Sequence, residues 1–140
     1  MKMIPGAETF PFLPTNPATG PLALMPLLPL RLELPPQSIS VLGLLDTASA
    51  VNVLPLDIGL QLGAVWDDQK MSVQLTGNLA SVPACGLVVS AIVGRFLPVR
   101  LAFAWAQTNH VPLILGQLNF FAEFDAYFSR STALFEVKPK

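Results

Sequence analysis

The chain has 140 residues, 52% hydrophobic and only 12% charged, which is the length of one domain with ample material for a core and excludes a disordered chain. Formal net charge is −1 and the eight Lys and Arg residues are scattered, so there is no basic patch to track nucleic acid or an anionic membrane surface. A single cysteine, Cys85, and a single histidine, His110, exclude an intrachain disulfide and a cysteine-based metal cluster, and leave almost nothing from which to build a zinc site or a Ser-His-Asp triad.

Residues 1–22 hold five of the fourteen prolines and predict a flexible, extended arm ahead of a domain over 23–140. "MKMIPGAETFPFLPTNPATG" does not match the apolar core of a secretory signal. The most apolar stretch, "PLALMPLLPL", carries three prolines and stops at Arg31, too short and too broken to span a bilayer. The expected location is the cytoplasm, with no membrane partner.

From residue 27, "LLPLRLEL" alternates apolar and polar positions, "PPQS" interrupts, and "ISVLGLL" runs apolar into Asp46. This predicts a strand, a turn and a second strand. "VNVLP" is a third short strand, and "LDIGLQLG" predicts one or two helical turns ended by Gly63. Residues 73–105 are rich in Val, Leu, Ile and Phe and broken by Gly77, Gly86, Gly94 and Pro98, which predicts several short strands. Within "MSVQLTGNLASVPA", Thr76-Gly77-Asn78 lies between alternating arms and predicts a β-hairpin. "HVPLILG" reads as a buried strand, "QLNFFAEF" as a short helix, and "AYFSRSTALFEV" as two β arms around a turn. The sum is mostly β with one or two short helices, as a sandwich or a half-open barrel, without an internal repeat.

The chemistry-bearing stretch is "GLLDTASAVNVLP", residues 43–55, where Asp46 ends an apolar run among small and hydroxylated residues. A lone carboxylate is a weak base, but two carboxylates within hydrogen-bonding distance share one proton, and one then acts as base while the other acts as acid. "LLDTASAVNVLP" resembles the active-site segment of aspartic proteases, an apolar strand leading into Asp-Thr/Ser-Gly. "VPLILGQLNFFAEFD" resembles the second signature of that fold, an apolar pair and a glycine followed by a short helix. The two stand in this order about seventy residues apart, and with the closing "FDAYFSRSTALFEV" they resemble the single-lobed, retropepsin-like aspartic proteases of bacteria over roughly residues 27–137.

The resemblance implies an all-β, closed-barrel lobe (the acid-protease half-barrel) with one or two short helices, active as a two-fold homodimer. It implies an aspartic endopeptidase in which water is activated by two Asp46 carboxylates, one from each subunit, acting on an extended polypeptide without cofactor or metal. Thr47 would bond across the two-fold axis, and Ala48 and Ser49 would support the carboxylate. Ile114, Leu115 and Gly116 would form the strand beneath the site, and Thr76, Gly77, Asn78 and Leu79 a flap. The chain departs from the family at Ala48, where glycine is usual, and at Gln117, often arginine in the retroviral members. These departures keep open the alternative of a catalytically inactive dimerisation or peptide-binding module.

The remaining polar and aromatic residues have plainer readings. Asp125 is expected as a turn residue before the last hairpin, and Asp57, Asp67 and Asp68 as solvated turn or helix-start residues. His110 is expected in a loop, Cys85 in the core, and Trp66, Trp105, Phe120 and Phe121 as packing.

Overall fold

The computed structural model describes residues 4–15 and 23–140. Six strands close into a barrel. The alternation of "LLPLRLEL" makes β4 (Leu27–Leu34) a strand with Leu28, Leu30 and Leu32 buried and Pro29 and Arg31 exposed. After the Pro35-Pro36 turn, β5 (Gln37–Leu45) returns antiparallel, pairing Leu34 with Gln37 and Leu27 with Leu44. The long hairpin of β7 (Ala84–Val93) and β8 (Val99–Ala106) lies on the other side of β4. Short β6 (Asn52–Leu54) runs parallel to β8, and β9 (Ile114–Leu115) closes the ring, parallel to β5 and antiparallel to β6.

Burial alternates along β4 and most of β7, whereas short β6 is buried throughout. Leu87, Val89, Ala91 and Val93 of β7 meet Leu101, Phe103 and Trp105 of β8 in one buried cluster. Each such side chain contributes about 1.5–3 kcal/mol when fully buried. The expected helix over 56–63 forms as α1 (Leu56–Gln61). It ends in a Schellman motif: Ala64 N–H donates to Gly59 O, Gly63 N–H donates to Leu60 O, and Gly63 takes φ of 85°, the left-handed value this ending needs.

A second, three-stranded sheet is built from the C-terminal hairpin, β10 (Phe124–Ser129) and β11 (Leu134–Pro139), and from β1 (Glu8–Pro11). Strand β1 corrects the sequence expectation of a free arm. It pairs antiparallel with β11, from Glu8 opposite Val137 to Pro11 opposite Leu134, and β2 (Leu13–Pro14) pairs with β3 (Leu24–Met25). The reason is burial: Phe12 joins the core, where Phe10 and Phe12 contact the Phe135 ring at 5.5 and 5.8 Å. Residues 1–3 and 16–22 of the expected arm lie outside the described residues.

The hairpin expected at Thr76-Gly77-Asn78 is also corrected. The arms pair only at their base, where Gly86 N–H donates to Met71 O, Ser72 bridges Cys85 and Val73 N–H donates to Ala84 O. Residues 74–83 form a loop containing a 3-10 turn (Gly77–Leu79). Local bonds replace the ladder: Leu79 N–H to Thr76 O, Val82 N–H to Leu79 O, and the Gln74 amide to Ala80 O at 2.8 Å. The last helix, expected over 117–124, is confined to α2 (Phe120–Glu123), and the Gln117 and Leu118 N–H groups donate to Ser49 O and Ala50 O. Among the described residues no helix is long and apolar enough to cross a membrane.

Candidate active site

Asp46 follows the last residue of β5, half-buried at the end of the barrel where β9 arrives. Its N–H donates to Leu115 O at 3.0 Å, which continues the parallel β5–β9 pairing by one residue. Its Oδ1 accepts the Ala48 N–H at 3.0 Å, and its main-chain carbonyl accepts the Ser49 N–H at 3.1 Å. The carboxylate is thus oriented by its own turn, as Asp at such positions commonly is.

Ala48, expected to support the carboxylate, supplies that N–H. Ser49 differs from expectation: its hydroxyl donates to Val51 O at 2.7 Å, bracing the turn rather than the carboxylate. Thr47 is exposed, and its carbonyl accepts the Gln117 Nε2–H at 2.8 Å. Ala48 is exposed and lies outside the left-handed region, since Ala133 is the one non-glycine with positive φ among the described residues. The loop therefore has no conformation here that only glycine adopts.

Strand β9 and the residues after it grip this loop. Gln117 N–H donates to Ser49 O at 2.9 Å and Leu118 N–H to Ala50 O at 3.0 Å, while Asn52 N–H returns a bond to Leu118 O. Gly116 is where the two segments come closest. A methyl group there would press on Val51 O and lie 2.7 Å from Ser49 O, so glycine alone permits the approach. Leu115 is buried and Ile114 half-buried; these two form β9, and Gly116 follows it beside the Asp46 loop.

Two site residues, Asn52 and its partner Asn119, were missed by sequence reading. Asn52 is completely buried, and its Oδ1 accepts the Gly116 N–H at 2.8 Å. Its Nδ2 donates to Ala102 O at 3.0 Å and to Asn119 Oδ1 at 3.2 Å. The available signal was one polar residue inside the apolar run "AVNVLP", because a buried amide demands partners.

Two concavities flank the loop. A groove of about 180 Å³ is lined by Ala48, Ser49, Ala50 and Val51 on one side and by Gln74, Leu75, Thr76 and Leu79 of the 74–83 loop on the other, with Val53 and Ile114. Gly77 and Asn78, expected with Thr76 and Leu79 in the flap, are exposed. On the other side an open cup of about 310 Å³ is formed by Phe12, Pro26, Leu45, Thr47, Phe128 and Arg130. The other weighed residues lie outside this constellation. Asp125 is exposed on β10 opposite Lys138, and Asp57 N–H, in the first turn of α1, donates to Asn109 Oδ1. His110 is exposed, Cys85 is buried on β7, and Trp66 packs on Trp105 at 5.0 Å between ring centroids. No group of three or more His, Cys, Asp or Glu among the described residues is placed to hold a metal ion.

A closed six-stranded barrel with a few short helices is the fold of the retropepsin-like aspartic proteases. The crystal structure of a retropepsin-like aspartic protease from Rickettsia conorii superposes with a TM-score of 0.62 over 94% of this chain and 92% of that chain, at 10% sequence identity. The likeness is one of fold. No protein-family model matches the sequence, and no curated protein matches it.

Proposed function

We propose that the chain is an aspartic endopeptidase that works as a two-fold homodimer, with Asp46 of each subunit forming the catalytic pair. The observation that carries this reading is the Asp46 loop itself. A carboxylate oriented by the Ala48 N–H sits on an exposed turn that four main-chain hydrogen bonds fasten to residues 115–118. One chain supplies one such loop and the barrel contains no second copy of the motif, so a two-fold axis beside Thr47 is what completes the pair.

The chemistry is that of the shared-proton dyad, for which aspartic proteases are the type case. The ionised Asp46 takes a proton from a water lying between the carboxylates. The protonated Asp46 of the other subunit donates to the carbonyl oxygen of the scissile amide, and the water oxygen bonds to its carbon. Collapse of the tetrahedral intermediate passes a proton to the leaving amine, and both carboxylates return to their starting states. An extended polypeptide would lie in the groove between residues 48–51 and the 74–83 loop, held by main-chain bonding in the manner of an added strand. The loop would serve as the flap, with Thr76 and Leu79 facing the peptide.

The exposed setting of Ala48 and its ordinary backbone support activity over the inactive alternative. Purified protein is expected to cleave a denatured protein substrate at mildly acidic pH, and Asp46→Asn is expected to abolish this. Cleavage that persists in Asp46→Asn removes the proposal.

A further inference from the structure

We infer that Asn52 and Asn119 are a positioning pair that fixes residues 116–118 and, through them, the loop that carries Asp46. Its catalytic consequence rests on the aspartic-protease reading above, whereas its structural part rests on hydrogen bonding alone.

Past the two residues of strand β9 the chain stays beside the start of β6, where Val51 bridges Leu118, and β6 stands between it and β8. The two amide side chains reach from there to the backbone of β8. Asn52 Oδ1 accepts from Gly116 N–H, and Asn52 Nδ2 donates to Ala102 O and to Asn119 Oδ1. Asn119 Oδ1 also accepts the Ala102 N–H at 2.9 Å, and Asn119 Nδ2 donates to Arg100 O at 2.9 Å. The orientation of each amide is set by backbone partners of fixed polarity. Gly116 N–H only donates and Ala102 O only accepts, so Asn52 has one workable rotamer of its amide, and the same logic fixes Asn119.

A merely space-filling residue does not explain this arrangement. An apolar side chain at 52 would strand the buried Gly116 N–H and remove the tie to Ala102. With asparagine, residue 116 is held to β8, a long rigid strand of the barrel wall. The next two residues donate to Ser49 O and Ala50 O, and the Gln117 side chain donates to Thr47 O. The chain of contacts is continuous from β8, through the amide pair and residues 116–118, to the loop of Asp46. In a dyad, both carboxylates must stay within hydrogen-bonding distance of each other and of one water. Displacement of the loop then spoils the reacting geometry and shifts one wall of the peptide groove, Ala48 to Val51, while the opposite wall in the 74–83 loop stays in place.

The test uses the full chain with Asn119→Ala, which leaves the buried Asn52 in place, and Asn52→Leu as the severer variant. Leu32→Ala, a buried β4 residue away from the loop, serves as a control with a comparable loss in Tm. In Asn119→Ala the amides of residues 116–118 are expected to exchange with solvent about tenfold faster or more, while those of β10 and β11 keep their rates. Per folded dimer, kcat is expected to fall about tenfold to a hundredfold, with KM changed by a smaller factor because only one wall of the groove moves. Leu32→Ala should keep kcat of the folded enzyme. Unchanged exchange at 116–118, acceleration spread evenly over the barrel, or an equal loss of kcat in Leu32→Ala would overturn the inference. Should the native chain cleave nothing while the local exchange pattern appears, the protease reading fails and the positioning of the loop stands. Failure of Asn52→Leu to fold leaves Asn119→Ala to decide.

Discussion

At the scale of residues, Asp46 was legible in the sequence because a carboxylate at the end of an apolar run, followed by hydroxylated and small residues, is a local pattern. Asn52 was not, because its meaning lies in partners 50, 64 and 67 positions away, and no local rule announces them. Ala48 illustrates a third case, where the sequence poses a question that backbone geometry answers. Since φ at Ala48 is not left-handed, Ala48→Gly is expected to change kcat/KM by less than about threefold and to lower stability by about 1 kcal/mol or less, through the extra freedom of the unfolded chain. Gly116→Ala goes the other way: its methyl group meets the carbonyls of Val51 and Ser49, and overpacking against backbone is expected to cost about 1–3 kcal/mol by urea denaturation. Cys85 adds a pH-dependent prediction. Burial pushes its thiol pKa up, so the folded chain holds this proton where the unfolded chain releases it. That contribution to stability is complete below the ordinary thiol range and is lost as pH rises from that range through the raised value of the folded chain. Iodoacetamide at neutral pH is accordingly expected to label Cys85 slowly in the folded chain and rapidly in urea.

At the scale of elements, the alternation of β4, the apolar run of β5 and the closing hairpin β10–β11 were read at nearly their observed bounds, since such patterns are written directly in the local sequence. Strand β1 escaped because prolines crowd its neighbourhood, and prolines are as compatible with an edge strand as with a free arm. What decides between them is the fit of Phe10 and Phe12 against Phe135, a contact across more than a hundred residues of sequence. The strand is further tied where Glu8 Oε2 accepts the Arg95 N–H at 2.7 Å and where Glu136 Oε2 accepts the Ile4 N–H at 3.0 Å. Phe12→Ala is therefore expected to cost about 3 kcal/mol in urea denaturation. The Phe12 amide, which donates to Ala133 O, is expected to be protected from hydrogen exchange. Were residues 8–12 a free arm, the substitution would cost nothing and this amide would exchange at once.

At the scale of the whole molecule, the barrel presents Asp46 on an exposed turn and surrounds it with apolar surface. The cup beside Thr47 combines Phe12 with Phe128, which remains 42% exposed although its ring stands 6.4 Å from that of Phe135. If a two-fold axis runs beside Thr47, this cup is covered by the second subunit, and Phe128→Asp is expected to shift sedimentation toward monomer while leaving the circular dichroism of the fold intact. The fold could be anticipated from one chain, whereas a dimer face carries no periodic signature and follows from the arithmetic of a single Asp46. That arithmetic is tested most directly by mixing native chain with Asp46→Asn, unfolding and refolding them together at constant total protein, and measuring cleavage against composition. If each active unit needs Asp46 from both subunits, activity falls as the square of the native fraction, to about one quarter at an equal mixture. A linear fall, to about one half, would contradict a catalytic pair shared between two copies.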